Sequence, residues 1–172
     1  MIIHQESIEL VTELVRANRD LEAAFIVCAA RLGNDAICRR LIAQARICAG
    51  AAKELADYVR VRGGEVADDG TWRSDTAPDW VALRGALIDG DETAVLDECS
   101  SAEDRLLVLF RDVLEHRLSG AIRDVLQTCF ATLIQNRARL RELRLPALLH
   151  EQPHPRYRLG PKWASVKMTQ SL

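Results

Sequence analysis

The sequence predicts an all-α fold: a bundle of four long helices with one long crossover between the second and the third. Three observations predict it. Apolar residues recur in alternating steps of three and four along four separate segments, the spacing of one buried helix face. Leu, Ala, Arg, Glu and Asp are abundant and aromatics make up only 5% of the chain, a balance that favours helix over strand. Turn formers (Gly33-Asn34, Gly63-Gly64 and Ser119-Gly120) fall between the periodic segments. At 172 residues, 48% hydrophobic and 28% charged, the chain has the size and composition of about one globular domain.

The first helix carries Val11, Leu14, Leu21, Phe25, Cys28 and Leu32 on one face, with Asn18 in the one gap of the series. It stops at Gly33-Asn34-Asp35, where Asn34 or Asp35 can cap the next helix. The second repeats the spacing with Ile37, Leu41, Gln44, Cys48, Ala51, Leu55 and Tyr58. Ala45, Ala51 and Ala52 let a neighbour approach closely, and Gly63-Gly64 supplies a C-cap. So short a turn makes these two helices antiparallel neighbours.

The third helix shows Val95, Cys99, Ala102, Leu106, Leu109 and Val113, flanked by Leu96 and Phe110. The fourth shows Ile122, Val125, Cys129, Leu133, Asn136, Leu140 and Leu143, and is expected to stop before Pro146. Together they make a second antiparallel hairpin. Residues 63–90 between the hairpins are too long for a tight turn. Their first part is polar. Their second reads as a short helix capped by Asp75 or Thr76, begun by Pro78 and ended at Gly90, with Trp80, Leu83, Leu87 and Ile88 to lie on the bundle. Such a connection can travel the height of the bundle and make the second and third helices parallel, the one-crossover topology of ferritin-like folds. A plain up-down-up-down bundle is the alternative. The expected organisation is a bundle over residues 5–144, with its crossover at 63–90, and an irregular basic tail over 145–172.

The formal net charge of -2 points to no polyanionic partner, but the charge is uneven. Residues 65–104 are strongly acidic, opposed only by Arg73 and Arg84, whereas Arg137, Arg139, Arg141, Arg144, Arg156, Arg158, Lys162 and Lys167 dominate the C-terminal part. Two solvated faces account for this, and so does head-to-tail association. The five cysteines lack C-x-x-C spacing. Glu6 and Glu9 interrupt the N-terminus before a secretory leader can develop, and no apolar run nears the roughly 20 residues of a membrane span. These features predict a cytoplasmic chain with reduced, buried thiols. Cys28 and Cys38 lie symmetrically about Gly33, which places them in reach of each other.

Arg62-Gly63-Gly64 at the end of the second helix, Trp80-Val-Ala-Leu-Arg-Gly-Ala-Leu, Gly90-Asp-Glu-Thr-Ala-Val-Leu-Asp-Glu-Cys and Ala102-Glu103-Asp104 carry a resemblance. Over roughly residues 6–144 the chain resembles small bacterial ferritin-like four-helix-bundle proteins classed as a domain of unknown function. The resemblance implies a fold and transfers no activity.

Ferritin-like oxidases hold two metals with a Glu from each of two helices and a Glu-x-x-His from each of the others. Folding the first hairpin about Gly33 levels Glu22 with Gln44; folding the second about Leu118 levels Glu103 with Leu133, near Thr132. Parallel second and third helices also bring Gln44 and Glu103 to one height. The predicted mid-bundle layer is therefore Glu22, Gln44, Glu103 and Thr132, with Asn18 and Asn136 a turn or more away. It lacks histidine and has too few carboxylates for a di-metal centre, so no cofactor is expected. The alternative is an altered iron or manganese site on Glu22 and Glu103.

His150-Glu151-Gln152-Pro153-His154 spells H-E-x-x-H, the zinc-protease pattern, which requires both histidines on one helical face. Pro153 and Pro155 disfavour helix at the residues before them, so the match is accidental. In the tail, Tyr157, Leu159 and Trp163 stand among basic residues. They are expected to pack on the bundle or a neighbouring subunit, and no nucleic acid is expected. The chain reads as a helical bundle acting by association, as a homo-oligomer or with a protein partner, without a complete catalytic site. The alternative function is a metal-binding ferritin-like protein, an oxidase or a metal store.

Overall fold

The computed structural model describes residues 2–66 and 80–150, and among these residues all regular structure is helical. Five helices follow one another: α1 Ile2–Arg31, α2 Asp35–Val61, α3 Val81–Asp89, α4 Glu92–Glu115 and α5 Gly120–His150. The inward columns follow the periodicity. Val11, Leu14, Leu21, Phe25 and Cys28 are buried on α1, Leu41, Cys48 and Leu55 on α2, and Val95, Cys99, Leu106 and Val113 on α4. On α5 the buried column is Ile122, Leu126, Cys129 and Leu133, with Val125 only partly covered.

Local chemistry sets the helix ends. The Asn34 carboxamide oxygen accepts from the backbone N–H groups of Ala36 at 3.0 Å and Ile37 at 3.3 Å, starting α2. At its other end Gly64 N–H donates to the Val59 carbonyl and Gly63 N–H to the Arg60 carbonyl, both at 3.0 Å. That is the paired-bond Schellman stop, and it needs the left-handed φ of 75° that Gly63 adopts. Gly64 is held for a different reason. A Cβ there would fall 2.6 Å from Val59 Cγ1 and 2.7 Å from Ile8 Cγ2, so the chain leaves α2 pressed against α1. Asp91 caps α4 by accepting from Ala94 N–H at 2.9 Å. The α4–α5 turn has a side-chain lock: the Arg123 guanidinium donates to the carbonyls of Leu114 at 2.9 Å and His116 at 3.0 Å.

Helix α1 packs on α2 and α4, α5 packs on the same two helices, and α3 lies on α4. Contacts between named residues give the levels. Asp104 pairs with Arg137 and Arg141 while Leu114 meets Arg123, so α4 and α5 run antiparallel. Cys28 of α1 faces Cys99 of α4, with 3.9 Å between the sulfurs. Cys129 of α5 faces Glu54 of α2 at 3.9 Å.

Two expectations change. α5 does not stop before Pro146 but continues to His150, so the expected boundary at 144/145 falls inside a helix. Proline removes one backbone hydrogen bond, and the flanking Leu145, Ala147, Leu148 and Leu149 are helix formers that can carry the chain past it. Cys28 has Cys99 as its sulfur neighbour, whereas the Cys38 thiol donates to the Leu32 carbonyl at 3.3 Å. All five cysteines are free thiols. The short crossover helix ends at Gly90 as expected, with φ 68°, but its described part begins at Val81. Asp75, Thr76 and Pro78 lie outside the described residues, as do Glu151 to His154 and the rest of the expected tail.

Candidate functional site

Two of the four expected layer residues lie inside the helical packing. Gln44 is 1% exposed and Glu103 is 3% exposed. The Gln44 amide donates from Nε2 to Glu103 Oε1, joining α2 to α4 directly across the core. Gln44 takes this place because it occupies an apolar position in the α2 series, between Leu41 and Cys48. Glu103 occupies the equivalent inward position on α4, one turn after Cys99.

Burial pushes the Glu103 carboxyl up to about 7. The Gln44 hydrogen bond, Arg137 and Arg40 act in the opposite direction, and Asp104 adds to the rise. Arg137 pairs with one oxygen of Asp104, and Arg141 lies 3.3 Å from the other. Around the buried amide and carboxyl there is thus a shell of two guanidiniums, Arg40 from α2 and Arg137 from α5.

The thiols beside this nest are held protonated. Burial, then Glu103 and Glu22, raise Cys48 far above the ordinary thiol range. The hydrogen bond to Cys28, followed by burial, raises Cys99. Burial and Glu54 push Cys129 up to about 11. A thiol in this state is neither a ready nucleophile nor a ready metal ligand.

The four expected layer residues divide. Gln44 and Glu103 meet. Glu22 is half-buried on α1 and acts on Cys48, as Glu103 does, so it borders the same region. Thr132 turns back on its own helix, its hydroxyl donating to the Thr128 carbonyl at 2.9 Å. Asn136 likewise donates to the Thr132 carbonyl at 2.8 Å, and Asn18, fully buried, donates to the Leu14 carbonyl at 2.8 Å. Among the described residues no three His, Cys, Asp or Glu side chains group so as to hold a metal ion. The residues do not fit a ferritin-type iron or manganese centre. The basic side of the nest was not anticipated. Arg40 precedes Gln44 by one turn, and Arg137 follows Leu133, the residue levelled with Glu103, by one turn; that spacing was the available signal.

On the outside, α3 turns Leu83, Ala86 and Leu87 inward and leaves Val81 56% and Ile88 78% exposed. Exposed Asp89 and Asp91 stand beside Ile88. Arg139 and Arg141 are exposed on α5. No described helix is long and apolar enough to cross a membrane.

An all-α chain whose core carries a Gln–Glu bond between helices, with no convergent ligand set among its described residues, defines a class of helical proteins by fold and not by reaction. Residues 6–116 match the model of a domain of unknown function, DUF2383, and the chain belongs to that family. The matched span takes in α4 and ends at His116, before α5 begins. No curated protein matches the chain.

Proposed function

We propose that this protein is a one-crossover, ferritin-like helical bundle that acts by association with a second copy of itself, through the outer edge of α3. The single observation that carries the association is that edge: Val81 and Ile88, one face apart by two turns, stand outward beside Asp89 and Asp91. The complementary surface is the basic face of α5, where Arg139 and Arg141 are exposed. Val81 and Ile88 give apolar contact area on either side of Arg84, and Asp89 and Asp91 at the end of the helix can meet the basic face. The α3–α5 contact can occur twice in a two-fold dimer or repeat around a ring or along a chain of copies.

The pairing of Gln44 with Glu103 and of Cys28 with Cys99 supports parallel α2 and α4, and with them the one-crossover topology. The free thiols support a reducing compartment such as the cytoplasm. Sedimentation velocity across a wide range of protein concentration tests the association. Assembly that grows with concentration and weakens at high salt is expected; a monomer throughout rejects it.

A further inference from the structure

The polar nest offers more hydrogen-bonding capacity than Gln44 and Glu103 use on each other. Arg40 leaves α2 from the same face as Gln44, one turn earlier. Its Nε and Nη2, the two donors along one edge of the guanidinium, are shielded from solvent and have no hydrogen-bond partner. Arg137 engages Asp104 through Nη2, and its Nε is shielded and unpartnered as well. Glu103, itself 3% exposed, has Oε2 in the same condition. Arg40 shares the Gln44 face of α2, Gln44 bonds Glu103, and Arg137 pairs with Asp104 next to Glu103, so α2, α4 and α5 bring these side chains to one level of the fold.

Shielded donors without an acceptor are costly. Two parallel N–H groups on a guanidinium edge match two oxygens of a planar or tetrahedral oxyanion. The charge balance agrees. Arg40, Arg137 and Arg141 outnumber the one carboxylate they surround, Asp104, so the neighbourhood carries an excess of positive charge that an anion would neutralise.

We propose that Arg40, Arg137 and Glu103 form a binding site for a small oxyanion of the phosphate or bicarbonate class. Arg40 Nε and Nη2 donate to two of its oxygens and Arg137 Nε to one of them. Glu103 meets it in the protonated form, with Oε2–H donating while Oε1 still accepts from Gln44. The site is separate from the α3 edge and stands or falls independently of self-association.

Binding an anion beside Glu103 favours the protonated carboxyl, so it is accompanied by proton uptake near and above neutral pH. The other groups facing Glu103 are Arg40 from α2, Arg137 from α5, Asp104, which pairs with Arg137 and Arg141, and the buried thiols of Cys48 and Cys99, whose ionisation is pushed up. Glu22, from α1, bears on the nest through Cys48.

The test is isothermal titration of the full chain with inorganic phosphate and, separately, with bicarbonate, against chloride at matched ionic strength. Each titration is run slightly above neutral pH in two buffers of different ionisation enthalpy. The expected result is saturable binding of at least one oxyanion with uptake of part of a proton. R40K, which keeps the charge and loses the edge, is expected to weaken binding about tenfold or more, the effect of losing one charge-assisted hydrogen bond. E103Q, which can still donate from its amide, is expected to bind bicarbonate without proton uptake, whereas phosphate, which itself titrates near neutral pH, reports affinity only. Which anion saturates the site identifies the source. Absence of saturable heat from both, wild-type binding by a folded R40K, or wild-type binding with no proton uptake overturns the proposal.

Discussion

At Glu103, one buried carboxyl connects local burial to the behaviour of the fold. Its folded value of about 7 lies above the ordinary 4.5. The folded state therefore holds the proton to higher pH than the unfolded state does. The contribution is full below about 4.5 and is lost as the pH rises through about 7. The shift, 7 less 4.5, corresponds to about 3 kcal/mol at most. E103Q removes this titration and keeps an amide that can pair with Gln44. Urea denaturation from pH 5 to pH 8 should show the wild type losing stability and E103Q staying level; parallel profiles would contradict the burial argument. The meeting of Gln44 with Glu103 was legible because helix register converts sequence distance from a turn into height. Arg40 and Arg137 were less so, because a long side chain reaches a turn up or down its helix and register does not fix its tip. The Cys28–Cys99 contact escaped for another reason. Symmetry about Gly33 gives equal height and leaves the facing direction open, and the Leu32 carbonyl takes the Cys38 thiol instead.

At the scale of elements, stops and caps were the most readable part of the chain. Gly63-Gly64 looks like a helix stop and is one, though its two glycines act differently. Gly63 provides a left-handed φ; Gly64 provides closeness, with Val59 and Ile8 side chains where a Cβ would stand. Both neighbours are β-branched and buried, so neither can swing aside. Gly64→Ala is expected to destabilise the fold by about 1–3 kcal/mol, the range for overpacking. Asn34→Ala, which removes the α2 cap, is expected to cost about 1 kcal/mol. Thermal unfolding ranks them: Gly64→Ala should fall further than Asn34→Ala, and an unchanged Gly64→Ala would show that the α1–α2 exit relaxes freely. Pro146 was misread as a stop because the rule weighs the lost bond and not the helix formers on either side. The Arg123 lock on the α4–α5 turn had no sequence signal, since an arginine near a turn is common and its carbonyl partners are set by the turn's path.

At the scale of the whole molecule, the inward faces could be read from periodicity because burial of apolar surface organises all four long helices. The outward faces could not. Exposed Ile88 and buried Leu87 are adjacent and chemically alike, and only the docking of α3 on α4 tells them apart. The charge asymmetry between the acidic middle and the basic C-terminal part was visible from composition alone. It gains a physical setting where exposed Asp89 and Asp91 stand at the end of α3 and exposed Arg139 and Arg141 lie on α5. Size-exclusion chromatography with light scattering, comparing wild type with I88D, tests self-association through this edge most directly. Ile88 is 78% exposed, so the substitution leaves the core intact and removes the apolar contact. The account predicts a concentration-dependent assembly for the wild type and a folded monomer for I88D. Equal masses for the two proteins at every concentration would contradict it.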